Sequence, residues 1–313
     1  MALSNYPSGF RGGALIKNIP MFDTIDGNVF WVDSGSGGAG NPGTFNSPLS
    51  TMSGAIAKCT ANNGDVIFYK SGHTEACASA GAIVNSVAGV THVGLGNAGD
   101  MAQIRFTAAA ADMDVTAASV RFINMRFTAA FADVTSAFDL TADGVQFHGC
   151  LFDEEIADEN YVIVMEAADG VDNIVINDCD YIGNDIANDY LLNMLGTHNN
   201  VKITNNRMSH MTAQTAAAPF INSVTNQLNM LLAGNYMHSE TAAIASGFVV
   251  LAGTANNGFA YDNLLSSVDT DATAANAVSA FDVTGLACKG NWFTSGVADT
   301  YALESFLTVE DLT

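Results

Sequence analysis

Acidic residues are concentrated in one part of the chain where their spacing could support chemistry. The group comprises Asp153, Glu154, Glu155, Asp158, Glu159, Asp178 and Asp180. Two carboxylates placed across a glycosidic bond can act as acid and base, and grouped carboxylates can bind a divalent cation. No basic residue lies between Asp153 and Asp180. We weigh a solvated acidic loop, a cation site and catalytic carboxylates, and we favour the solvated loop.

The histidines and cysteines do not form a recognisable catalytic or metal-binding motif. The six histidines are His73, His92, His148, His198, His210 and His238. No two of them have a metal-like spacing, and no Ser-His-Asp grouping or phosphate-binding loop is evident in the sequence. The five cysteines, Cys59, Cys77, Cys150, Cys179 and Cys288, fit no zinc or haem pattern and do not indicate a disulfide framework. We therefore assign no catalytic, cofactor-binding or metal-ligating residue and expect no cofactor.

A repeat in the sequence indicates which structural elements would position any such group. Seven segments can be aligned in one register, about 28 residues apart, starting at Val120, Val145, Ile174, Val201, Met230, Gly258 and Leu286. The eighth position is always large and apolar: Phe127, Phe152, Tyr181, Met208, Met237, Leu265 and Phe293. A fixed period with a constant column of residues is the sequence signature of a solenoid.

Within each repeat, apolar residues alternate with period two, which predicts strands with one buried face. The sixth position holds Asn206, Asn235, Asn263 and Asn291 in the last four segments. We expect these asparagines to form a bend, because Asn tolerates left-handed backbone, and to hydrogen-bond in a ladder between turns. Cys150 and Cys179 occupy the same column and should stack as small buried groups.

A further strand precedes each unit, so each turn has three sides. Helical repeats of similar length are excluded because the apolar spacing is two rather than 3.6. The sequence therefore predicts an all-β parallel β-helix. We divide the chain into an N-terminal arm (1–28), an entry cap with a short helix (29–85), the β-helix (86–295) and a C-terminal cap (296–313).

Composition limits the possible partners. Only 13% of residues are charged, but 32 acidic against 10 basic residues give a net charge of −22. Nucleic acid is therefore not an expected partner. No run of about 18 apolar residues and no basic-then-apolar leader is present, so we expect neither a membrane partner nor export through a cleaved signal. We expect folding in a reducing cytoplasm.

The entry cap resembles that of bacteriophage β-helix proteins. The matching pieces are Phe30-Trp31-Val32-Asp33-Ser34, Asn41-Pro42-Gly43-Thr44, Pro48-Leu49-Ser50-Thr51, Ala55-Ile56 and Gly64-Asp65-Val66-Ile67. The following coil resembles the pectate-lyase-type fold, which implies a right-handed helix. Phage proteins of this kind are tail spikes or capsid-surface proteins, usually trimers, so the resemblance implies a virion surface protein.

The same resemblance raises the question of enzymatic activity on polysaccharides. The Asp-Asp, Gly-His-Gly and Arg-x-Lys pieces of polygalacturonases are absent, and Gly72-His73-Thr74 lacks the second glycine. From the sequence we expect no enzymatic activity.

Several outward positions are apolar near the end of the repeat. They are Leu231, Tyr236, Phe259, Tyr261, Leu264 and Trp292. An exposed apolar patch across consecutive coils is typical of a partner surface, and we predict a homo-oligomer interface, with a trimer expected. Cover by long loops and a platform for stacking sugars are the alternatives.

These observations lead to one functional hypothesis and two alternatives. We expect a capsid decoration or cement protein that forms a trimer on the virion surface and is assembled in the host cytoplasm. Arg11 and Lys17, in an arm without acids before Asp23, would anchor it to the major capsid protein. The alternatives are a tail spike or fibre that binds, or binds and cleaves, host surface polysaccharide, and a carbohydrate lyase.

Overall fold

The computed structural model describes the backbone of residues 14–16 and 19–21 and residues 27–156, 158–184, 190–212, 219–240, 248–268 and 281–294. Two short strands, β1 (Ala14–Ile16) and β2 (Ile19–Met21), pair antiparallel in the N-terminal arm. The predicted anchor residues Arg11 and Lys17, and the predicted C-terminal cap (296–313), lie outside the described residues.

The rest of the described chain winds into a right-handed parallel β-helix, which confirms the predicted all-β fold. The first sheet has ten strands: β3 (Val29–Val32), β4 (Val66–Tyr69), β7 (Thr91–Gly94), β10 (Arg121–Ile123), β13 (Gln146–His148), β16 (Val175–Asn177), β20 (Lys202–Thr204), β24 (Met230–Ala233), β27 (Gly258–Tyr261) and β30 (Ala287–Lys289). Its first two strands fall within the segment taken from the sequence as the entry cap.

The other two faces of the coil are also parallel sheets. The second sheet contains β5 (Thr74–Cys77), β8 (Gln103–Phe106), β11 (Arg126–Ala129), β14 (Leu151–Glu154), β17 (Asp180–Gly183), β21 (Arg207–His210), β25 (Tyr236–Ser239), β28 (Leu264–Ser267) and β31 (Trp292–Thr294). The third contains β6 (Ile83–Asn85), β9 (Met113–Val115), β12 (Phe138–Leu140), β15 (Ile163–Ala167), β18 (Tyr190–Met194), β22 (Ile221–Ser223), β26 (Val249–Leu251) and β29 (Phe281–Asp282). Strands β19 (His198–Asn199) and β23 (Gln227–Leu228) pair separately.

A short helix covers the entry end of the coil. Helix α1 spans Met52–Ile56, and Thr51 caps it by accepting a hydrogen bond at Oγ1 from the Gly54 N–H at 3.2 Å. The helix predicted for the entry cap is therefore short, and the chain tightens after Ile56, where the Cys59 N–H donates to the Ile56 carbonyl. Its buried residues pack on the first coil. Among the described residues, no helix is long and apolar enough to cross a membrane.

The bend between the first and second sheets corrects one detail of the prediction. The left-handed residue is the fifth of each repeat, one before the asparagine column: Asn124, Gly149, Asp178, Asn205, Gly234, Asp262 and Gly290, with φ between 52° and 66°. Asn, Asp and Gly are the residues that adopt this conformation at least cost. The left-handed residue turns the chain, so that the sixth residue can point its side chain into the interior.

The structure places the asparagine column in the interior as a continuous hydrogen-bonded ladder. The Nδ2 of Asn206 donates to Oδ1 of Asn235 at 3.0 Å, Asn235 to Asn263 at 2.9 Å, and Asn263 to Asn291 at 2.8 Å. Each Oδ1 also accepts the backbone N–H of the preceding asparagine. Every polar atom of the ladder amides is thus paired within a buried column.

The same column continues upstream through two thiols. Cys150 and Cys179 are both 2% exposed, and the Cys150 N–H points at the Cys179 sulfur at 3.4 Å. All five cysteines are free thiols. Burial raises the pKa of the Cys59 and Cys77 thiols to about 12, that of Cys288 to about 11, and that of Cys179 well above its ordinary value. The expected stacking of Cys150 and Cys179 is confirmed.

The interior of the coil is apolar, and side chains of the same type from successive coils stack on one another. Phe122 stacks on Phe147 with ring centroids 5.1 Å apart, Phe127 stacks on Phe152 at 5.5 Å, and Phe138 from the third sheet meets Phe127 edge-on at 4.8 Å. Burial and offset ring contacts of this kind supply most of the stability of such a core. The body is therefore rigid enough to hold surface groups in fixed rows.

Candidate functional site

The outer face of the second sheet carries most of the polar groups that could do chemistry. Along each strand the first and third residues lie on the outer face and alternate with core residues. The first-residue column reads Gln103, Arg126, Leu151, Asp180, Arg207, Tyr236, Leu264 and Trp292. The third-residue column reads Arg105, Thr128, Asp153, Ile182, Ser209, His238, Ser266 and Thr294. Charged groups occupy the early coils of this face.

The acidic group singled out from the sequence is largely ion-paired. Asp153 forms a salt bridge with Arg126, Oδ2 to Nη2, at 2.7 Å, and its Oδ1 accepts a hydrogen bond from Thr128 Oγ1 at 2.7 Å. Glu155 pairs with Arg105, two coils earlier. The cations come from preceding coils, which is why a search within the window found none. Asp153 and Glu155 are thus paired with arginines of earlier coils, and Glu155 remains exposed to solvent.

The other acids of the group do not converge with them. Glu154 is buried and accepts the Asn184 N–H at 2.5 Å, whereas Asp178 is the left-handed residue of its bend. Asp180 pairs with Arg207 of the next coil, Oδ2 to Nη2, at 3.0 Å. Asp180 lies in the first-residue column and Asp153 in the third. Each of the two carboxylates is paired with a different arginine. This arrangement is a row of arginine–carboxylate pairs and not a carboxylate dyad.

A serine, a histidine and a glutamate form a hydrogen-bonded group further along the same face. His238 Nδ1 lies 3.1 Å from Ser266 Oγ, and His238 Nε2 lies 3.0 Å from Glu240 Oε1. Inspection of the sequence had found no such grouping, and the structure corrects this. His238 and Ser266 are one coil apart in the chain, so the signal was their shared position, the ninth of the repeat, and Glu240 follows His238 by two residues.

Three carboxylates on the outer face of the third sheet are the only group among the described residues that could hold a metal ion. Asp112, Asp114 and Asp139 each offer an oxygen within 4.8 Å of the others. The Gly81 N–H donates to Asp112, and Ser136 Oγ donates to Asp139 at 2.8 Å. Burial, and then the neighbouring negative charges, raise the pKa values of Asp112 and Asp114. Carboxylate oxygens are the type of ligand that calcium and magnesium take, so these are the positions such an ion would use.

Replacing Asp114 by Asn tests whether the carboxylates repel one another. A carboxyl whose folded pKa is raised binds its proton more readily in the folded state, so stability falls as pH rises from the unfolded value of 3.8 through the folded value. In chelator at pH 7, Asp114→Asn should raise the free energy of unfolding by about 0.5 kcal/mol, and the gain should vanish below pH 3.8. Asp158→Asn, which removes one charge from an exposed loop position, is the control. If Asp114→Asn in chelator at pH 7 were no more stable than the wild type, repulsion between the carboxylates would be contradicted.

The predicted interface residues lie together around the bend of the last coils. On the second sheet, Tyr236, Leu264 and Trp292 are cross-strand neighbours, and on the first sheet Leu231 is the partner of Phe259. The exposed fractions are 39% for Tyr236, 60% for Phe259, 39% for Tyr261, 50% for Leu264 and 43% for Trp292. Leu231 is half-buried. We call Tyr236, Phe259, Tyr261, Leu264 and Trp292 the apolar patch.

Comparison with known proteins gives little beyond the fold. No family model matches the chain, and no curated protein matches its sequence. A solved structure named "Rhamnogalacturonan lyase" is similar, with a TM-score of 0.41 and 11% sequence identity, over 85% of this chain and 87% of that chain. At this identity the likeness concerns the fold alone.

This comparison nevertheless corrects one sequence-based expectation. We had expected no enzymatic activity, because the polygalacturonase pieces are absent. That conclusion is wrong as an inference, since a solved structure named for a lyase activity has a similar fold at 11% identity. Motif absence in so divergent a sequence does not exclude catalysis, and we do not retain the expectation.

Proposed function

We propose that the chain is a virion surface protein of a bacteriophage, a decoration or cement protein that assembles as a β-helical trimer on the capsid. The observation that carries the proposal is the apolar patch, which places five large apolar side chains in solvent on adjacent coils. A rigid coil with such a patch is suited to lateral association with copies of itself. The resemblance of the entry cap to phage β-helix proteins supports the virion setting.

Attachment of the trimer to the capsid is the second part of the proposal. Arg11 and Lys17 lie in the arm that precedes the coil, in a protein with net charge −22. The first 22 residues hold two basic and no acidic residues, which favours docking of that end on an acidic partner surface, since the acidic body would repel such a surface. The major capsid protein is the partner proposed for it.

Charge introduced into the apolar patch should dissociate the oligomer. Leu264→Glu places a carboxylate at the centre of the patch, where closing the interface would desolvate it. We expect a shift from trimer to monomer in native mass spectrometry at micromolar concentration. The matched control is Leu195→Glu, because Leu195 is 45% exposed but lies beside the third sheet, away from the patch. An unchanged native mass for Leu264→Glu would remove the interface assignment.

The proposed function is tested by counting copies in purified virions. Quantitative mass spectrometry of the chain relative to the major capsid protein should give hundreds of copies for a decoration protein. A handful of copies would place it on the tail, as a spike or fibre. Its absence from virions would remove the virion proposal.

A second candidate is a protein that binds or cleaves surface polysaccharide. The row of arginine–carboxylate pairs on the second sheet favours it, because Arg126, Asp153, Asp180 and Arg207 repeat at coil spacing along one face, as a polymer requires. Incubation with acidic polysaccharides, followed by detection of unsaturated sugar ends, distinguishes lyase activity from binding. If the protein neither bound these polysaccharides nor released unsaturated ends from them, this candidate would be removed.

A further inference from the structure

The Ser266, His238 and Glu240 group is used by neither candidate function. Ser266 is the third residue of β28 and His238 the third residue of β25, so the two are direct cross-strand neighbours. Glu240 follows β25, two residues after His238, and therefore lies on the same face. All three side chains are half-buried on the outer face of the sheet, where solvent and a dissolved substrate can reach them.

The hydrogen bonds define the role of each atom. An ionised carboxylate only accepts hydrogen bonds, so Glu240 Oε1, at 3.0 Å, accepts the N–H of His238 Nε2. The lone pair of the ring is then on Nδ1, which lies 3.1 Å from Ser266 Oγ and can accept the hydroxyl proton. A base held in one tautomer by an acid, and bonded to a hydroxyl, is the arrangement that activates a serine nucleophile.

We propose that Ser266, His238 and Glu240 form a hydrolytic centre for short-chain acyl esters. Ser266 Oγ attacks the ester carbonyl carbon while its proton passes to His238 Nδ1. The carbon–oxygen bond to the alcohol breaks, and the alcohol leaves with the proton from Nδ1. Water then attacks the acyl-serine, again giving a proton to Nδ1, and the acid is released as Ser266 Oγ regains its hydrogen. Glu240 stabilises the imidazolium formed in each half.

The surroundings of the serine indicate the kind of ester. The group stands outward from the coil in the third-residue column, beside Leu264 and Trp292 of the apolar patch, so it admits an ester carried on a large molecule where the trimer interface leaves that column open. The Tyr236 ring lies parallel to the His238 ring at 6.5 Å, which closes one side of the imidazole. Thr294, the strand partner of Ser266 on the other side, brings a hydroxyl within one strand spacing, where it can donate to the developing oxyanion.

The test uses the purified full chain and two probes. A fluorophosphonate should add once per chain, and peptide mapping should locate it on Ser266; hydrolysis of p-nitrophenyl acetate should be inhibited in parallel. Ser266→Ala and His238→Gln should abolish labelling and lower kcat/KM for the ester by about 10²-fold or more. Glu240→Gln, which preserves shape, should lower it less than His238→Gln.

The control separates a serine nucleophile from simple imidazole chemistry. His148→Gln removes another half-buried surface histidine, which is hydrogen-bonded to Gln146 on the first sheet, and should leave both readouts unchanged. Every variant should unfold at the same midpoint as the wild type, because all four substituted residues lie on the outer faces of the sheets. Absence of labelling in the wild type, or ester hydrolysis by Ser266→Ala at the wild-type rate, would overturn the proposal. Virion copy number does not bear on it.

Discussion

Replacing Asn235 by Ala is expected to lower the free energy of unfolding by about 3–5 kcal/mol, because it breaks the buried ladder at its centre. Asn235 Oδ1 accepts both the backbone N–H and the Nδ2 of Asn206, each at 3.0 Å. Its Nδ2 donates to the Ile203 carbonyl and to Asn263, each at 2.9 Å. Removing the amide leaves two donors of Asn206 without this acceptor in an interior where water does not compensate.

The matched control for this variant is Asn222→Ala. Asn222 is also in a row of amides, and its Nδ2 donates to Asn193 Oδ1 at 2.8 Å, but it lies half-buried on the outer face of the third sheet. Water can replace that bond, so the expected cost is below about 1 kcal/mol. Denaturant unfolding followed by circular dichroism measures both. Equal costs for the two variants would contradict a structural role for the buried ladder.

Replacing Gly258 by Ala should be at least as damaging, with an expected loss of about 4 kcal/mol or more. Gly258 has φ of 137°, and a Cβ built there would lie 2.0 Å from the Met230 carbonyl oxygen of the adjacent strand. The clash is with backbone, so no side chain can rotate away, and strand β27 would have to separate from β24. The unfolding midpoint of the variant measures the effect.

Gly72→Ala isolates the steric part of that prediction. Gly72 has φ of 78°, and a Cβ there meets nothing within 4 Å. It should therefore cost only the strain of a left-handed alanine, about 1 kcal/mol. If Gly258→Ala were as mild as Gly72→Ala, the close approach of β27 to β24 would be refuted.

The repeat made the fold predictable because each coil must bury the same kinds of apolar side chain at the same positions. Large apolar residues such as Phe127 and Phe152 recur at one position, and only a parallel coil can stack them on one another. The bend was predicted at the right place but one residue late. Asparagine suits both a left-handed turn and a buried ladder, and sequence alone does not tell which use applies to Asn206.

The site was less predictable because its contacts run between coils. Arg105 meets Glu155 across 50 residues of sequence, a pairing that depends on the side chain reaching past the intervening strand β11. His238 and Ser266 are 28 residues apart and meet only because the register is exact to one residue. A search for chemistry within short windows cannot detect such groups, whereas a search down the columns of the repeat can.

The thiols described within the fold can also report where the coil opens locally. From Cys59 in the entry cap, through Cys77, Cys150 and Cys179, to Cys288 in the last coil, they mark successive heights along the axis. Burial raises the pKa of the Cys59, Cys77, Cys179 and Cys288 thiols, which slows their alkylation. Cys77 and Cys179 are also buried, so their alkylation requires local opening of the surrounding coil. In a molecule whose coils pair their strands with the adjacent coils, opening propagates from the ends. The order in which the cysteines become alkylated therefore reports how local opening spreads along the coil, from its two ends toward Cys150 and Cys179.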